Sequence, residues 1–327
     1  MLPILSRNIA SNESFYPKES ARCFHLPDPV FEQAHLRYVS NLITSILNAF
    51  FAPFAVVANV LVFSAILLKP SLRSPSCLLI ACLAFSDILV SGIVQPSYIA
   101  YRLGEVRYGY VHCMTRVLYA MGFYTCYGVS FTTLSSISLE RYLALKLHLR
   151  YKGLATAKRV LVVVILIWTL NIALTSIQWL HVKIARGSHL FFWLVSMVIA
   201  VISQLKTQLI ARRHRRQILK QQPSPFNHHH FRTQVKESIN MAYIVGIYLL
   251  FNLPVVAVTI FHQIVTGYID SYDYYSWSET IAFSNSFINP LICFWRCKEI
   301  RKAVLKLVRN RLCYKHDLES QDVPSRT

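Results

Sequence analysis

The 327-residue sequence has few charged residues for its length, and acidic ones are especially scarce. Charged side chains make up only 15% of the residues, with 15 Asp and Glu against 34 Lys and Arg, whereas 54% of the residues are hydrophobic. Soluble domains have about a quarter of their residues charged. This deficit, together with a mean hydropathy of +0.40, indicates a protein that is solvated by lipid.

Several motifs of membrane enzymes and carriers are also absent from the sequence. It has no His-Glu-x-x-His motif and no pair of catalytic aspartates in facing hydrophobic segments, which disfavours an intramembrane hydrolase. It has no internal repeat and no matched pair of interrupted hydrophobic segments, which are features of transporters. We therefore expect a protein that is not an enzyme, and a transporter or channel is a weaker alternative.

Seven apolar runs recur along the chain, each roughly 20 residues or longer, and none has the alternating pattern of a barrel strand. Because a backbone in hydrocarbon must satisfy its own hydrogen bonds, each run should be a helix. The sequence therefore predicts an all-α membrane protein with a seven-transmembrane helix bundle. The predicted runs are 41–68, 76–101, 114–143, 159–181, 189–211, 237–263 and 273–296.

The cations are concentrated on one side of these predicted helices. Of the 34 Lys and Arg, 23 fall on that side and 9 on the other, and the remaining two lie within runs. Such an excess marks the cytoplasmic side, so we expect a multi-pass plasma-membrane protein with an extracellular amino terminus. Because the cations are divided among short segments beside membrane helices, a nucleic-acid partner is disfavoured. The segments that contain the 23 Lys and Arg of the cytoplasmic side are 69–75, 144–159, 212–236 and 296–327.

Three kinds of covalent modification follow from this topology. Cys23 and Cys113 are the only two of the eight cysteines on the predicted extracellular side, where they form either a disulfide or two free thiols. Asn12 lies in an Asn-Glu-Ser sequon on the same side and is a predicted glycosylation site. Cys313, just after a basic amphipathic stretch, is a candidate for palmitoylation.

The chain ends differ from the apolar middle. The segment after the seventh run places Ile300, Val304, Leu307 and Val308 on one helical face with cations opposite, which predicts an amphipathic helix that binds membrane lipids at the inner interface. The predicted organisation is an extracellular segment, a transmembrane domain, this amphipathic helix and a disordered cytoplasmic tail, with bounds 1–40, 41–296, 297–312 and 313–327.

Polar residues within the runs need a physical reason, because a charge in the hydrocarbon costs about 2.5–3.5 kcal/mol on insertion scales. Asp87 lies in the middle of the second run, and Asn59, Ser130, Asn285 and Asn289 lie at comparable depth. These groups could hold a monovalent cation beside an ionised Asp87, since oxygen ligands suit a hard ion. Alternatively, they form a hydrogen-bonded packing cluster around a neutral carboxyl group.

A second acid, Glu279, lies two turns into the seventh run with Tyr275 one turn before it. It could receive a cationic group of a ligand, or it could pair with a neighbouring Arg or Tyr as a structural bond. The sequence leaves both interpretations open.

Prolines interrupt the second, sixth and seventh runs at Pro96, Pro254 and Pro290. Each removes one backbone hydrogen bond and permits a kink. They are candidate hinges, although many membrane helices contain proline without any moving part.

Taken together, these features resemble the rhodopsin-like (class A) G-protein-coupled receptors over residues 41–312. Six motifs occur in the family's order and at similar spacings. They are Asn59 in VANVLVF, LAFSD ending at Asp87, the Glu140-Arg141-Tyr142 triplet, Trp168, FNLP ending at Pro254, and NPLIC beginning at Asn289.

The resemblance implies roles for several of these residues. In the family, the arginine of the triplet is held by its neighbouring acid and is released to contact a heterotrimeric G protein, which implies a coupling role for Glu140, Arg141 and Tyr142. The family's sodium pocket matches Asp87, Ser130, Asn285 and Asn289, so we expect a sodium ion as a negative modulator and no other cofactor.

The sequence departs from the family at three places. Asn252 replaces the tryptophan switch of helix six, Cys293 replaces the tyrosine of the helix-seven motif, and helix five has neither Pro nor Tyr. These changes make a receptor-like protein with impaired signalling, acting as a decoy or a dimer partner, the main alternative. The predicted loop between helices four and five, 182–188, is short and lacks Cys, which is similar to melanocortin receptors and their adenosine and cannabinoid relatives.

The resemblance also reduces the number of candidate ligand classes. The seventh run has no Lys, which excludes a retinal Schiff base, and Phe123 stands where receptors for biogenic amines have Asp. The remaining candidates are an extracellular small molecule, lipid or peptide in an aromatic pocket. The predicted lining is Tyr98, Phe123, Tyr124, Tyr127, Val255, Thr259, His262, Tyr275 and Glu279.

Overall fold

The computed structural model describes residues 23, 24, 26, 37–107, 110–147, 151–220, 225–264 and 272–321. These residues are almost entirely helical and contain no β-strand. Their long helices are α1 (Tyr38–Leu68), α2 (Pro75–Leu89, a π-helical turn Val90–Val94, then Gln95–Arg107), α3 (Cys113–Leu147), α4 (Ala157–Ser176), α5 (Val182–Lys220), α6 (Pro225–Ile264), α7 (Tyr272–Arg296) and α8 (Lys298–Gln321).

Helices α1 to α7 coincide with the seven predicted runs, and the all-α membrane fold is confirmed. Within the described residues, five helices are long and apolar enough to cross a membrane by length and composition. The other two, α3 and α7, are more polar because they bury hydroxyl and amide side chains such as Ser130, Thr133 and Asn285 inside the bundle. The five apolar segments are Tyr38–Leu68, Pro75–Glu105, Ala157–Trp179, Ile184–Arg213 and Ala242–His262.

Helix α3 runs through the middle of the bundle and contacts α2, α4, α5 and α6, while α1 packs against α2 and α7. The interior is continuous from Val62 on α1 to Trp193 on α5. Large apolar side chains are exposed on the outside, among them Leu166, Phe191 and Leu250 at 60%, 63% and 63%. Such a surface is stable only against lipid tails, in keeping with a multi-pass membrane protein.

The connection between α4 and α5 is shorter than predicted. A single 3₁₀ turn, Ile177–Trp179, follows α4, and α5 already begins at Val182. The segment predicted as a loop, 182–188, is therefore helical. Lys183, Ala185 and Arg186 are good helix formers, and tertiary packing overrides the weaker preference of Gly187.

The basic segment 212–236, which lies between the fifth and sixth predicted runs, is also largely helical. Helix α5 continues to Lys220 and α6 begins at Pro225. The Arg, Lys, Gln and Leu residues that extend α5 favour helix. Proline is favoured in the first helical turn, because the N–H it lacks would have no partner there.

Helix α8 follows α7 after Cys297 and is amphipathic. Its residues Ile300 and Val304 are buried, whereas Lys302 and Lys306 are exposed. It extends to Gln321, beyond the predicted end at 312 and into the tail predicted to be disordered, because the chain has no proline until Pro324 and no glycine there. The backbone of Cys313 lies in α8, but its side chain is outside the described part of the structure.

The π-helical turn in α2 inserts one extra residue into the helix. The N–H of Gln95 bonds the carbonyl of Val90, five residues earlier, and Pro96 follows immediately. Each added residue rotates the following part of a helix by about 100°. The second part of α2 therefore presents a different face to the bundle from the one that a regular helix through Asp87 would present.

The predicted disulfide between Cys23 and Cys113 is present. It joins residues 90 apart in sequence, with a Cα–Cα distance of 5.2 Å, and ties the amino-terminal segment to the start of α3. Nearby, the Arg116 guanidinium donates to the Leu26 carbonyl at 3.1 Å. The predicted glycosylation site, Asn12, lies outside the described residues.

We predict that replacing either cysteine with serine destabilises the protein by about 2–5 kcal/mol, because the bond closes a long loop. The measurement is thermal melting of the purified protein in detergent. Since each substitution breaks the same bond, the double variant Cys23→Ser/Cys113→Ser should melt no lower than the lower single variant. Additive losses would contradict a bond between these two residues.

Candidate functional site

The bundle has two ends with different polar clusters. We call the end where α3 begins at Cys113 the disulfide end, and the end that contains Arg141 the arginine end. Between them lies Asp87, near the middle of α2. The candidate site residues fall into these three levels.

At the arginine end, Glu140 and Arg141 form a buried ion pair. Arg141 Nε lies 2.6 Å from Glu140 Oε2, its Nη2 lies 3.0 Å from Oε1, and the two side chains are each only 9% exposed. The Ser76 hydroxyl donates to Glu140 Oε2 at 2.5 Å and accepts from Arg141, and the Tyr151 hydroxyl donates to Glu140. Ser76 and Tyr151 were not predicted, because sequence spacing gives no sign that α2 and the turn after α3 meet there.

The third residue of the triplet, Tyr142, points away from this pair. Its ring centre lies 5.5 Å from Lys146 Nζ and 5.7 Å from Lys206 Nζ, within the range of cation–π attraction. Lys206 lies within the fifth predicted run, 189–211. The contact links α3 to α5 and accounts for this intramembrane lysine.

In the middle of the bundle, Asp87 is buried and accepts two hydrogen bonds from α7. Ser286 donates to Oδ1 and Asn289 donates to Oδ2, both at 2.9 Å. Asn59 on α1 donates to the Ser286 carbonyl at 2.7 Å, so the cluster joins three helices. Ser286 was not predicted, although its position three residues before Asn289 places both on one face of α7.

The other two predicted members of this cluster are not bonded to Asp87. The Ser130 hydroxyl lies 3.1 Å from that of Ser86. Among the described residues, neither atom of the Asn285 side-chain amide has a hydrogen-bond partner, and neither does Asn289 Oδ1. Buried amide groups without partners are rare, and those seen require an explanation such as water or a bound ion.

The residue at the altered switch position, Asn252, is fully buried and fully bonded. The Tyr127 hydroxyl donates to its Oδ1, and its amide donates to the Tyr248 carbonyl at 2.7 Å. Cys293, the other altered position, is buried in the apolar interior of the bundle. At this position the Asn252 amide therefore joins α3 and α6 by a hydrogen bond.

The predicted hinge prolines lie inside regular helices. Pro254 is within α6 and Pro290 is within α7. Both helices continue on either side of the proline, as expected where neighbouring helices compensate for the lost hydrogen bond.

The predicted ligand residues divide into two groups. Tyr98 is fully buried and donates to Thr44 Oγ1 and to the Ser276 carbonyl. Thr259 is buried and bonds its own helix at the Val255 carbonyl. Their contacts are those of packing residues between helices and differ from the cavity lining that we predicted. The register of α2 after the π-helical turn explains the placement of Tyr98.

The aromatic residues of α3 form one stacked cluster with α5. Phe123 stacks on Tyr127 with ring centres 4.9 Å apart, and Tyr124 stacks on His189 at 4.9 Å. Trp193 on α5 is almost completely buried and contacts this cluster. Phe123 and Tyr127 are also buried, whereas Tyr124 is half-buried.

Glu279 is engaged in a buried charge network. The Tyr119 hydroxyl donates to its Oε2 at 2.5 Å, and Arg102 Nη2 lies 3.6 Å from the same atom. Arg102 also lies 3.4 Å from Glu105, which in turn pairs with Arg37 at 3.4 Å. These distances support the structural interpretation of Glu279 over that of an acid kept free for a cationic ligand.

This network balances its own charge. It contains two cations, Arg37 and Arg102, and two acids, Glu105 and Glu279, all nearly excluded from water. Arg102 and Glu105 were missed because the second run was predicted to end at 101, whereas α2 continues to Arg107. The network joins α1, α2, α3 and α7 at the disulfide end.

A second polar cluster at the same end joins α5, α6 and α7. His262 Nδ1 lies 2.8 Å from the Tyr275 hydroxyl, and its Nε2 lies 3.3 Å from Arg186 Nη1. Arg186 was not predicted, because it lay in the segment assigned to a loop. All three side chains are half-buried.

Comparisons with known proteins agree with this architecture. Residues 58–189 match the family described as 7 transmembrane receptor (rhodopsin family). An adenosine receptor A2a of Cavia porcellus is 24% identical over 311 residues, covering 82% of this chain and 73% of that receptor.

Two further relatives match more strongly over a shorter segment. An alpha-2 adrenergic receptor of Labrus ossifagus is 33% identical over 136 residues, 40% of this chain and 30% of that receptor. An adenosine receptor A3 of Ovis aries is 31% identical over 140 residues, 41% of each chain. The chain thus matches under half the length of either receptor.

The helical bundle, the family match and these relatives all support a rhodopsin-like (class A) G-protein-coupled receptor. The relatives that the chain resembles are receptors and not enzymes. Adenosine receptors are in the group that the short loop after α4 suggested, whereas adrenergic receptors are not.

We predict that Glu279→Gln and Arg102→Gln each destabilise the protein by about 3–5 kcal/mol, because removing one partner leaves a buried charge uncompensated. Thermal melting in detergent measures the effect. The matched control is Glu299→Gln on α8, whose ion pair with Lys302 is about two-thirds exposed and should contribute less than about 1 kcal/mol. Equal melting of Glu279→Gln and Glu299→Gln would contradict a structural role for the network.

Proposed function

We propose that this protein is a plasma-membrane receptor that binds an extracellular ligand at the disulfide end and activates a heterotrimeric G protein at the arginine end. The buried Glu140–Arg141 pair carries this proposal. A buried ion pair is stable only while its geometry persists, so it can be exchanged for the contacts of a partner. The names of the adenosine and adrenergic relatives support a receptor without specifying its ligand.

The distribution of cations supports the proposed orientation. The arginine end carries the basic extensions of α5 and α6 and the basic face of α8, and a cytoplasmic side is favoured for such segments. The disulfide at the opposite end is consistent with an oxidising exterior. An epitope tag at the carboxy terminus should then bind antibody only after the cells are permeabilised.

The main alternative is a receptor-like protein that does not signal. Asn252 favours this alternative, because its hydrogen bonds to α3 and to its own helix would resist the rearrangement that the family's tryptophan permits. A decoy or a dimer partner would bind ligand and leave the Glu140–Arg141 pair intact.

We predict that Arg141→Ala abolishes G-protein activation while the protein still reaches the cell surface. The measurement is guanine-nucleotide exchange on G proteins of each class by receptor-containing membranes, without ligand and across a ligand screen. Arg309→Ala, which removes an exposed cation of α8, is the matched control and should retain activity.

Two results would count against this proposal. Unchanged exchange by Arg141→Ala would refute the role of the arginine. Exchange on no G protein, at normal surface expression, would favour the non-signalling alternative.

We also propose that a sodium ion binds beside Asp87 and stabilises the inactive receptor. The amide groups of Asn285 and the free oxygen of Asn289 fit such a site, because hard cations prefer oxygen ligands and these atoms have no partner among the described residues. The Ser130 hydroxyl could add another oxygen ligand while it remains hydrogen-bonded to Ser86.

For this site we expect sodium chloride to raise the melting temperature of the purified receptor relative to choline chloride at equal ionic strength. Asp87→Asn should remove that difference, because the amide lacks the negative charge of the carboxylate that attracts the cation. Ser91→Ala is the control, since the Ser91 hydroxyl bonds the backbone of Asp87 and not its carboxylate. A sodium effect that survives in Asp87→Asn would exclude the site.

A further inference from the structure

Arg186, a half-buried cation at the disulfide end, has no acidic partner among the described residues. Arg37 and Arg102 each pair with a glutamate, but within the part of the chain that the structure describes no carboxylate lies within ion-pairing distance of Arg186. Its contacts are His262 Nε2 at 3.3 Å and the Tyr124 hydroxyl. Both partners are neutral groups that leave its charge unbalanced.

The side chains around Arg186 come from four helices. Tyr124 is on α3, Arg186 on α5, His262 on α6 and Tyr275 on α7, and His262 Nδ1 lies 2.8 Å from the Tyr275 hydroxyl. All four are half-buried. They are shielded enough to strengthen an electrostatic contact and open enough for a small molecule to reach them.

An aromatic surface lies directly beside the cation. Tyr124, which contacts Arg186, stacks on His189 at 4.9 Å and on Trp193 at 5.8 Å. His189 and Trp193 are each only 1% exposed, so the half-buried ring of Tyr124 is the part of this cluster that an apolar or aromatic body could contact while an attached polar group meets the guanidinium. Ligand pockets commonly combine an apolar wall with a few convergent polar groups.

The charges next to Arg186 favour an anionic ligand, because Asp273, the acid in the first turn of α7, is not within ion-pairing distance of it. Glu279 is already paired with Arg102 and Tyr119, so it does not offer a free acid to a cationic group. The planar guanidinium of arginine binds carboxylates with two parallel hydrogen bonds, and the tyrosine hydroxyls could donate one more.

We infer that the ligand of this receptor carries a carboxylate on an apolar or aromatic body, and that Arg186 binds this carboxylate. The inference rests on the proposed function, because it assigns the ligand class of the same binding end. Arg186 is then the residue that sets specificity for an acid over its neutral analogue.

The test uses the full-length receptor in lipid nanodiscs and two carboxylate probes, hydrocinnamate with an aromatic body and dodecanoate with an aliphatic one. Each is compared with its primary amide in thermal melting and in a binding titration. At least one acid should bind about tenfold or more tightly than its amide, because a hydrogen bond between charged groups contributes more than a neutral one. The better acid identifies the preferred body.

Substitutions then locate the contact. Arg186→Gln should reduce the affinity for the acid by about tenfold or more and leave the amide unchanged. Arg186→Lys keeps the charge and should retain part of the affinity, which guards against a folding defect in the first variant. Arg107→Gln removes an exposed cation at the same end and should have no effect.

Three outcomes would overturn the inference: equal binding of acids and amides, no stabilisation by either acid at millimolar concentration, or full affinity in Arg186→Gln. Because binding is measured without a G protein, the result is separable from signalling. If an acid binds through Arg186 but does not drive nucleotide exchange, the inference about the ligand is supported and the proposal of G-protein activation is refuted. If a neutral ligand drives nucleotide exchange and Arg186→Gln does not change it, G-protein activation is supported and the inference about the ligand is refuted.

Discussion

Hydrocarbon cannot solvate polar groups, and this constraint organises the whole structure. Nearly every charged side chain inside the bundle is bonded to a residue of another helix or to an oppositely charged neighbour. The clusters at Arg141, Asp87 and Glu279 are therefore structural contacts in the first place. Each becomes useful for function only where a partner, an ion or a ligand can replace one of those contacts.

Helix α3 connects these levels. It carries Tyr119 and Tyr124 near the disulfide end, Tyr127 against Asn252 in the middle, and Arg141 at the other end. A ligand that draws α5, α6 and α7 together around Arg186 would act on the same helices whose opposite ends surround the arginine. Because packed interiors switch between discrete arrangements, such a local shift can be transmitted along the bundle.

Sequence analysis was most successful where neighbouring residues or compartments determine the result. The Glu140–Arg141 pair joins adjacent residues, and the disulfide joins the two cysteines of one compartment. It failed where a helix end was misplaced. Arg102 and Arg186 lay just outside predicted helices, so their inward direction could not be inferred.

Sequence analysis also did not predict which residues of different helices contact each other. The bonds from Ser76 to Glu140 and from Ser286 to Asp87 depend on how helices pack. No periodicity within one helix specifies which residue of another helix it meets. The charged network of Glu279 was foreseen only as one of two options, and the choice required coordinates for its partners.

The extra residue in the π-helical turn of α2 separates that helix into two halves with independent rotational phase. Asp87 on one half accepts a hydrogen bond from Ser286 of α7, and Arg102 on the other half pairs with Glu279 of α7, so both side chains face α7. One residue more or less in the turn between them would rotate Arg102 relative to Asp87 by about 100°. Insertions or deletions within residues 90–94 could thus change, during evolution, which side chains of α2 face the interior at the disulfide end. The contacts of Asp87 in the middle of the bundle would stay the same. Related chains that lack this turn should place different side chains around an otherwise identical middle layer.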